Sequence, residues 1–180
     1  MDETEGREYI RTHSETVKIY GETHRFTEKD IQEIHKIWLG PIYPWAGEYR
    51  QVNLTKGNFS FAVAAQIPKL MEEFSRGPLA EFTPCRFKSD EKIVHALAVV
   101  HAELVLIHPF REGNGRLARL LGVLMALQAG LPTLDFGGIT GKEKLFYFAA
   151  VQQAMSRNYR PMEEVFNGVL KRTYRLKAGK

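Results

Sequence analysis

His108-Pro109-Phe110-Arg111-Glu112-Gly113-Asn114-Gly115-Arg116-Leu117-Ala118-Arg119 gathers a titratable base, a carboxylate, a glycine-flanked amide and two arginines into one short run. An apolar helical pattern leads into it and another leaves it. This set is what phosphate chemistry needs: a proton acceptor, a metal ligand, a backbone concavity for anions and fixed positive charge. Gly113 and Gly115 are expected to adopt positive φ and to let the backbone come close to a ligand. A helix restarting near Gly115 would aim unpaired N–H groups, at the positive end of its dipole, into the same space. Arg116 and Arg119, three apart on that helix, share a face and can reach one polyphosphate through planar, always-charged guanidinium groups. Glu112 can hold Mg²⁺, which takes one or two carboxylates plus phosphate oxygens. His108, with an ordinary pKa near 6.5, can accept a hydroxyl proton at neutral pH.

Each of these pieces alone has a plain structural explanation. Gly-Asn-Gly is a common turn, His-Pro a helix end, and arginines on a helix are usually solvated. Their joint occurrence is different, because arginines three apart on the otherwise apolar run from Leu117 to Leu127 are costly to bury without an anion.

The run matches, at every specified position, the signature His-x-Phe-x-(Asp/Glu)-Gly-Asn-Gly-Arg-x-x-Arg, and so resembles Fic-domain proteins. The resemblance extends upstream: Trp45-Ala46-Gly47-Glu48-Tyr49-Arg50, Val52-Asn53 and Lys56-Gly57-Asn58-Phe59 look like the family's hairpin flap, so that it covers about residues 27–158. It implies a mainly α fold, a helical bundle with a short β-hairpin flap beside the active site. It also implies transfer of AMP from ATP to a Tyr, Ser or Thr hydroxyl of a target protein. Carried over by position, His108 is the base and Phe110 anchors the loop in the core. Glu112 binds Mg²⁺, and Asn114 with the backbone of Gly113 and Gly115 holds the α-phosphate. Arg116 and Arg119 take the β- and γ-phosphates. The flap, Tyr49, Arg50, Gln51, Val52 and Asn53 with Gly57, Asn58, Phe59, Ser60 and Phe61, is expected to pair with the target as an added strand. The related Doc proteins, which transfer phosphate, carry a lysine near the place of Arg116 and an alanine for the first glycine; Gly113 and Arg116 here favour AMP transfer. The alternatives are transfer of a phosphoryl group or another nucleotide, removal of AMP, and a non-catalytic module that docks a nucleotide or partner.

Many Fic proteins silence themselves through (Ser/Thr)-x-x-x-Glu-(Gly/Asn), whose glutamate pairs with the second arginine, here Arg119. The nearest match is Glu5-Gly6, with Met1 where Ser or Thr is required. A separate small antitoxin, or a longer chain's N-terminal inhibitory helix, would supply the inhibition. The plain alternative is that Glu5 is a disordered terminal residue.

The remaining sequence is expected to form a single domain over residues 1–180, with an N-terminal helix at about 7–20 and a C-terminal helix at about 161–176. Thr27 followed by Glu28 and Asp30 reads as the start of a helix that Gly40-Pro41 stops. Alternation from Glu48 to Phe61 suggests two strands around Lys56-Gly57-Asn58. A helix follows over about 63–75, firm from Ile67 because of Pro68, and Arg76-Gly77-Pro78 should end it. Ser89 caps the central helix that delivers His108, and Arg116–Ala129 forms the next, closed by Gly130. Thr140-Gly141-Lys142-Glu143 reads as a capping box for a helix near Lys142–Arg157, and Pro161 opens the last helix.

A net charge of +4 over 180 residues, 44% hydrophobic and 26% charged, is ordinary for a globular chain. The basic run Lys171–Lys177 is explained by a solvated helix end, so nucleic acid is not expected as a partner. One cysteine, Cys85, fits a reducing compartment, and no signal peptide or membrane span is visible, which together suggest the cytoplasm. Gly138-Ile139-Thr140-Gly141-Lys142 lacks the spacing and the Ser/Thr of a P-loop. His101 and His108 lie about 10 Å apart along a helix, too far to share an ion, and His95 is on another face. Trp38, Trp45, Phe59 and Phe61 are best read as core and flap anchors.

Overall fold

The structure, a computed structural model, describes residues 3–178. Its helices are α1 (Glu3–Ile19), α2 (Glu28–Leu39), α3 (Ile67–Phe74), a short α4 (Ala80–Phe82), α5 (Asp90–Ile107), α6 (Asn114–Gln128), α7 (Gly141–Ala154) and α8 (Arg160–Ala178). The described strands, β1 (Thr55–Lys56) and β2 (Phe59–Ser60), pair antiparallel as a hairpin with Thr55 opposite Ser60 and Lys56 opposite Phe59. The mainly helical fold with a small hairpin agrees with the sequence expectation.

Helix α5 is the hub. From Ile93 onward its residues are mostly apolar, so it is buried on most faces and packs against α6, α7 and α8, while α1 lies on α2. The Ser89 side chain accepts from the Lys92 N–H at its start, and α2 begins with a full capping box: Thr27 accepts from the Asp30 N–H while Asp30 accepts from the Thr27 N–H. The end of α5 and the start of α6 line one pocket, and the turn between them carries the motif.

Four local expectations are corrected. The strands cover only four residues, and Glu48 to Leu54 is irregular, because Arg50 in its middle is buried and bonded to carbonyls rather than to a strand partner. Gly77-Pro78 does not stop α3: the chain continues through a π-helical turn, Ser75–Leu79, into α4, and the wider turn accommodates the proline. The capping box at Thr140 does not form. The Thr140 side chain makes no cap bond, and the Glu143 carboxylate is drawn instead to Arg172 at 3.0 Å. Glu5 is not a frayed end. It sits within α1 and is buried.

Candidate active site

Helix α5 ends at His108, whose backbone is left-handed (φ 51°, ψ 58°), a conformation that costs a residue with a Cβ about 1–2 kcal/mol. The turn throws the imidazole into the pocket instead of along the helix. His108 Nδ1 lies 3.0 Å from the Val105 carbonyl, which can only accept, so Nδ1 carries the proton and the Nε2 lone pair is left free. The Phe61 ring stacks on the imidazole at 3.7 Å. Burial pushes the His108 pKa down to about 4; the Val105 carbonyl and Glu112 oppose this, while Arg50 and Lys56 add to it. The ring is therefore neutral, and available as an acceptor, well below neutral pH.

Phe110 is fully buried and stacks on His35 at 3.9 Å. His35 is a site residue the sequence reading missed. Its Nδ1 accepts from the Gly47 N–H (2.9 Å), so its Nε2 is the protonated nitrogen and donates to the Glu112 carbonyl (3.1 Å). It thus ties the loop before the flap to the motif loop. Its only sequence signal was a polar residue on the apolar face of α2.

Gly113 has φ 82°, and a Cβ there would lie 2.6 Å from the Trp38 ring, so both backbone and space demand glycine. Gly115 differs from expectation: it lies within α6 rather than at positive φ, and a Cβ would meet nothing within 4 Å. Asn114 also differs. Both ends of its side-chain amide are spent on Phe110, accepting from its N–H at 2.9 Å and donating to its carbonyl at 2.8 Å, so it shapes the loop. Gly113 supplies no side-chain cap, and the first α6 N–H with a helical partner is that of Leu117. The first-turn amides of α6 remain for a ligand.

Glu112 is exposed, with Oε1 accepting from the Gly113 N–H (2.8 Å) and from Arg116 (3.1 Å). Arg116 also pairs with Glu5 at 3.0 Å and stacks over Trp38 at 4.6 Å. Glu5 thus meets the first motif arginine, not the second; Met1 lies outside the described residues. Arg119 has a buried Nε without a hydrogen-bond partner and, among the described residues, no carboxylate partner.

His108, Glu112, Gly113, Asn114, Gly115, Arg116 and Arg119 line one pocket of about 670 Å³ together with the flap residues Thr55, Lys56, Gly57, Phe59 and Phe61 and with Lys144, Tyr147 and Phe148 of α7. That volume suits a nucleotide-sized ligand. The rest of the expected flap is placed elsewhere. Tyr49 is half-buried beside Phe110, the Asn53 side chain accepts from the Ala64 N–H, Gln51 and Val52 are exposed, and Arg50 is buried. Asn58 and Ser60 are exposed at and beside the hairpin turn. Lys56 reaches across the pocket mouth to lie 4.0 Å over the Phe148 ring.

His101 is buried and shares a 2.9 Å hydrogen bond with Tyr147, and His95 is on the surface with Glu163.

Residues 25–126, more than half of the chain, match the Fic/DOC family, and the chain belongs to it. It is 32% identical over 139 residues to the protein adenylyltransferase Fic of Nematostella vectensis, covering 75% of this chain and 30% of that protein. It is 33% identical over 106 residues to the protein adenylyltransferase VbhT of Bartonella schoenbuchensis, covering 59% of this chain and 22% of that protein. The chain therefore spans under a third of the length of either relative. Among solved structures it resembles the N-terminal Fic domain of a Bartonella effector protein from Bartonella sp. AR 15-3, with a TM-score of 0.75 and 22% identity over 92% of this chain and 79% of that one. It also resembles the BepC protein of Bartonella tribocorum, solved with bound AMPPNP, with a TM-score of 0.70 and 23% identity over 92% and 83% of the two chains.

Proposed function

We propose that this chain is a protein adenylyltransferase, moving AMP from ATP to a Tyr, Ser or Thr hydroxyl of a target protein and releasing pyrophosphate. One observation carries the reading: the free Nε2 lone pair of His108 opens into the same pocket as the first-turn amides of α6 and both motif arginines. The names of the relatives, both adenylyltransferases, support it.

In this reading the target oxygen attacks the α-phosphorus, His108 Nε2 takes its proton, and the bond from that phosphorus to the β-bridging oxygen breaks. The backbone of Gly113 to Gly115 faces the α-phosphate where charge accumulates, and Arg116 and Arg119 hold the leaving pyrophosphate. Asn114 contributes by fixing the loop. Mg²⁺ fits the donor set: Glu112 keeps Oε2 for a cation, and one carboxylate with phosphate oxygens is a usual Mg²⁺ environment. Bound there, the ion would neutralise phosphate charge. The hairpin Thr55 to Ser60, with few backbone partners, would receive an extended target segment. Glu5 is the inhibitory carboxylate in this account. It acts through Arg116, whether α1 serves alone or is displaced or completed by a separate antitoxin. The cytoplasm, with its reducing conditions and ATP, is the proposed setting.

Label transfer to protein from ATP labelled on the α- or, separately, the γ-phosphate tests the reading, with Mg²⁺, lysate and a His108→Ala control. Transfer from α alone, lost in the variant, is expected. Transfer from γ would make it a phosphoryl transferase, and nucleotide binding with no transfer from either would make it a docking module. Glu112→Ala should raise the Mg²⁺ requirement, and an unchanged titration would remove Glu112 from the metal site.

A further inference from the structure

Arg50 is one of the largest fully buried side chains, 1% exposed, and its hydrogen bonds go to carbonyls rather than to a carboxylate. Nε donates to the His108 carbonyl at 2.7 Å and Nη2 to that of Ile107 at 3.3 Å, so one edge of the fork caps the end of α5. The other edge reads the flap: Nη1 donates to the Val52 carbonyl and Nη2 to that of Ala62, both at 2.6 Å. Val52 and Ala62 flank the hairpin, which the Phe61 N–H closes by donating to the Leu54 carbonyl at 3.1 Å. The Arg50 N–H also donates to the Pro109 carbonyl at 2.9 Å, on the far side of His108.

A buried cation is costly unless its donors are satisfied. Here the carbonyl end of the α5 dipole supplies the negative partial charge. The carbonyls it collects come from two elements whose relative position matters for transfer, the residue bearing the base and the root of the hairpin. His108 itself is in a left-handed conformation that the helix would not choose, and its carbonyl is the one Arg50 holds most closely in α5. Phe61, next to Ala62 in the flap, covers the imidazole. Only a planar fork with several donors can serve both sides, and a lysine ammonium at one point cannot.

We propose that Arg50 is a positioning residue that sets the backbone of His108 and the root of the flap against each other, so that base and docked target hydroxyl share one frame. The groups facing His108 are Arg50, Lys56 of β1 and Glu112 of the motif loop, with the Val105 carbonyl on its own helix. None of the others bonds both His108 and the flap. The effect on rate rests on the transfer reading above; the effect on structure does not.

The test compares Arg50→Met and Arg50→Lys with the unaltered full chain. In both variants, without nucleotide, amide exchange in residues 54–61 should accelerate about tenfold or more while α6 is unchanged. The NMR titration of His108 should move to higher pH in Arg50→Met. ATP affinity should stay within about twofold while the transfer rate falls about 100-fold, because a reacting group is misplaced and the phosphate site is intact. Folded variants with wild-type flap exchange and His108 titration would overturn the proposal, as would a fall in ATP affinity matching the fall in rate. If the structural readouts change but no protein, wild type included, transfers label, the transfer reading fails and the positioning role stands. Should neither variant fold, the unaltered protein decides: the Arg50 Nε proton must exchange as slowly as the amides of α5, and rapid exchange would overturn the proposal.

Discussion

Glu5 and Arg116, 111 positions apart in sequence, meet at 3.0 Å, and Arg116 lines the pocket that His108 faces. The Glu5 side chain is 7% exposed and that of Arg116 is 21% exposed, so water screens the pair little. An arginine held this way on one side by Glu5 and on the other by Glu112 has fewer donors for a phosphate.

Glu5→Ala should therefore tighten nucleotide binding by about tenfold while lowering stability by about 1–3 kcal/mol, since Tyr43 loses an acceptor and Arg116 a partner. Calorimetric titration with a non-hydrolysable ATP analogue, set beside urea denaturation, checks both signs. Weaker binding in the variant would mean that Glu5 organises Arg116 for the ligand.

The pH dependence of transfer should be set by the depressed His108 pKa. The neutral base is fully present above its folded value, so kcat/KM should hold steady below pH 6.5 and fall only toward about pH 4. Initial rates after brief transfer of native protein into acidic buffer measure this. An acid limb near 6.5 would show that the imidazole is solvated during the proposed transfer.

Stability should be acid-sensitive for a related reason. Burial holds His35, His101 and His108 each at about 4, so an unfolded chain binds protons as pH falls through 6.5 while the folded one does not. Stability is then complete above pH 6.5 and declines down to about 4, by about 3 kcal/mol for each histidine that stays neutral. Urea midpoints at pH 7.5 and pH 5 should differ clearly; equal midpoints would mean that these rings take protons in the folded state.

Gly113→Ala and Gly115→Ala should separate conformation from contact. The first puts a Cβ against Trp38 at positive φ and should cost about 1–3 kcal/mol. The second lies in open helix and should gain about 0.5–1 kcal/mol by helix propensity, yet should weaken nucleotide binding about tenfold by filling the face toward the phosphate. Thermal melts and nucleotide titration on the pair suffice. Unimpaired binding by Gly115→Ala would move the phosphate away from that amide.

The helices were legible wherever local chemistry decides them. The Thr27 and Ser89 caps, the Pro68 start and the Gly130 stop are written in neighbouring residues, and the motif's spacing alone put His108, Glu112, Arg116 and Arg119 around one cavity. What stayed hidden depended on partners distant in the chain. Thr140 to Glu143 has the composition of a capping box, but Arg172 competes for Glu143. Asn114 stands where a phosphate ligand would, but Phe110 claims its amide. Arg50 and His35 were overlooked or misplaced because a linear pattern does not reveal which carbonyls will surround a buried donor.

Trp38 gives three neighbours one wall. Its indole N–H donates to the Glu5 carbonyl at 3.1 Å, its face carries the Arg116 guanidinium, and its edge occupies the space a side chain at position 113 would need. The N-terminal helix and the motif loop are thus interlocking parts cut to the same block. A chimera that borrows either part from another family member inherits the other's constraints, and the two will exchange successfully only as a matched set with the tryptophan between them.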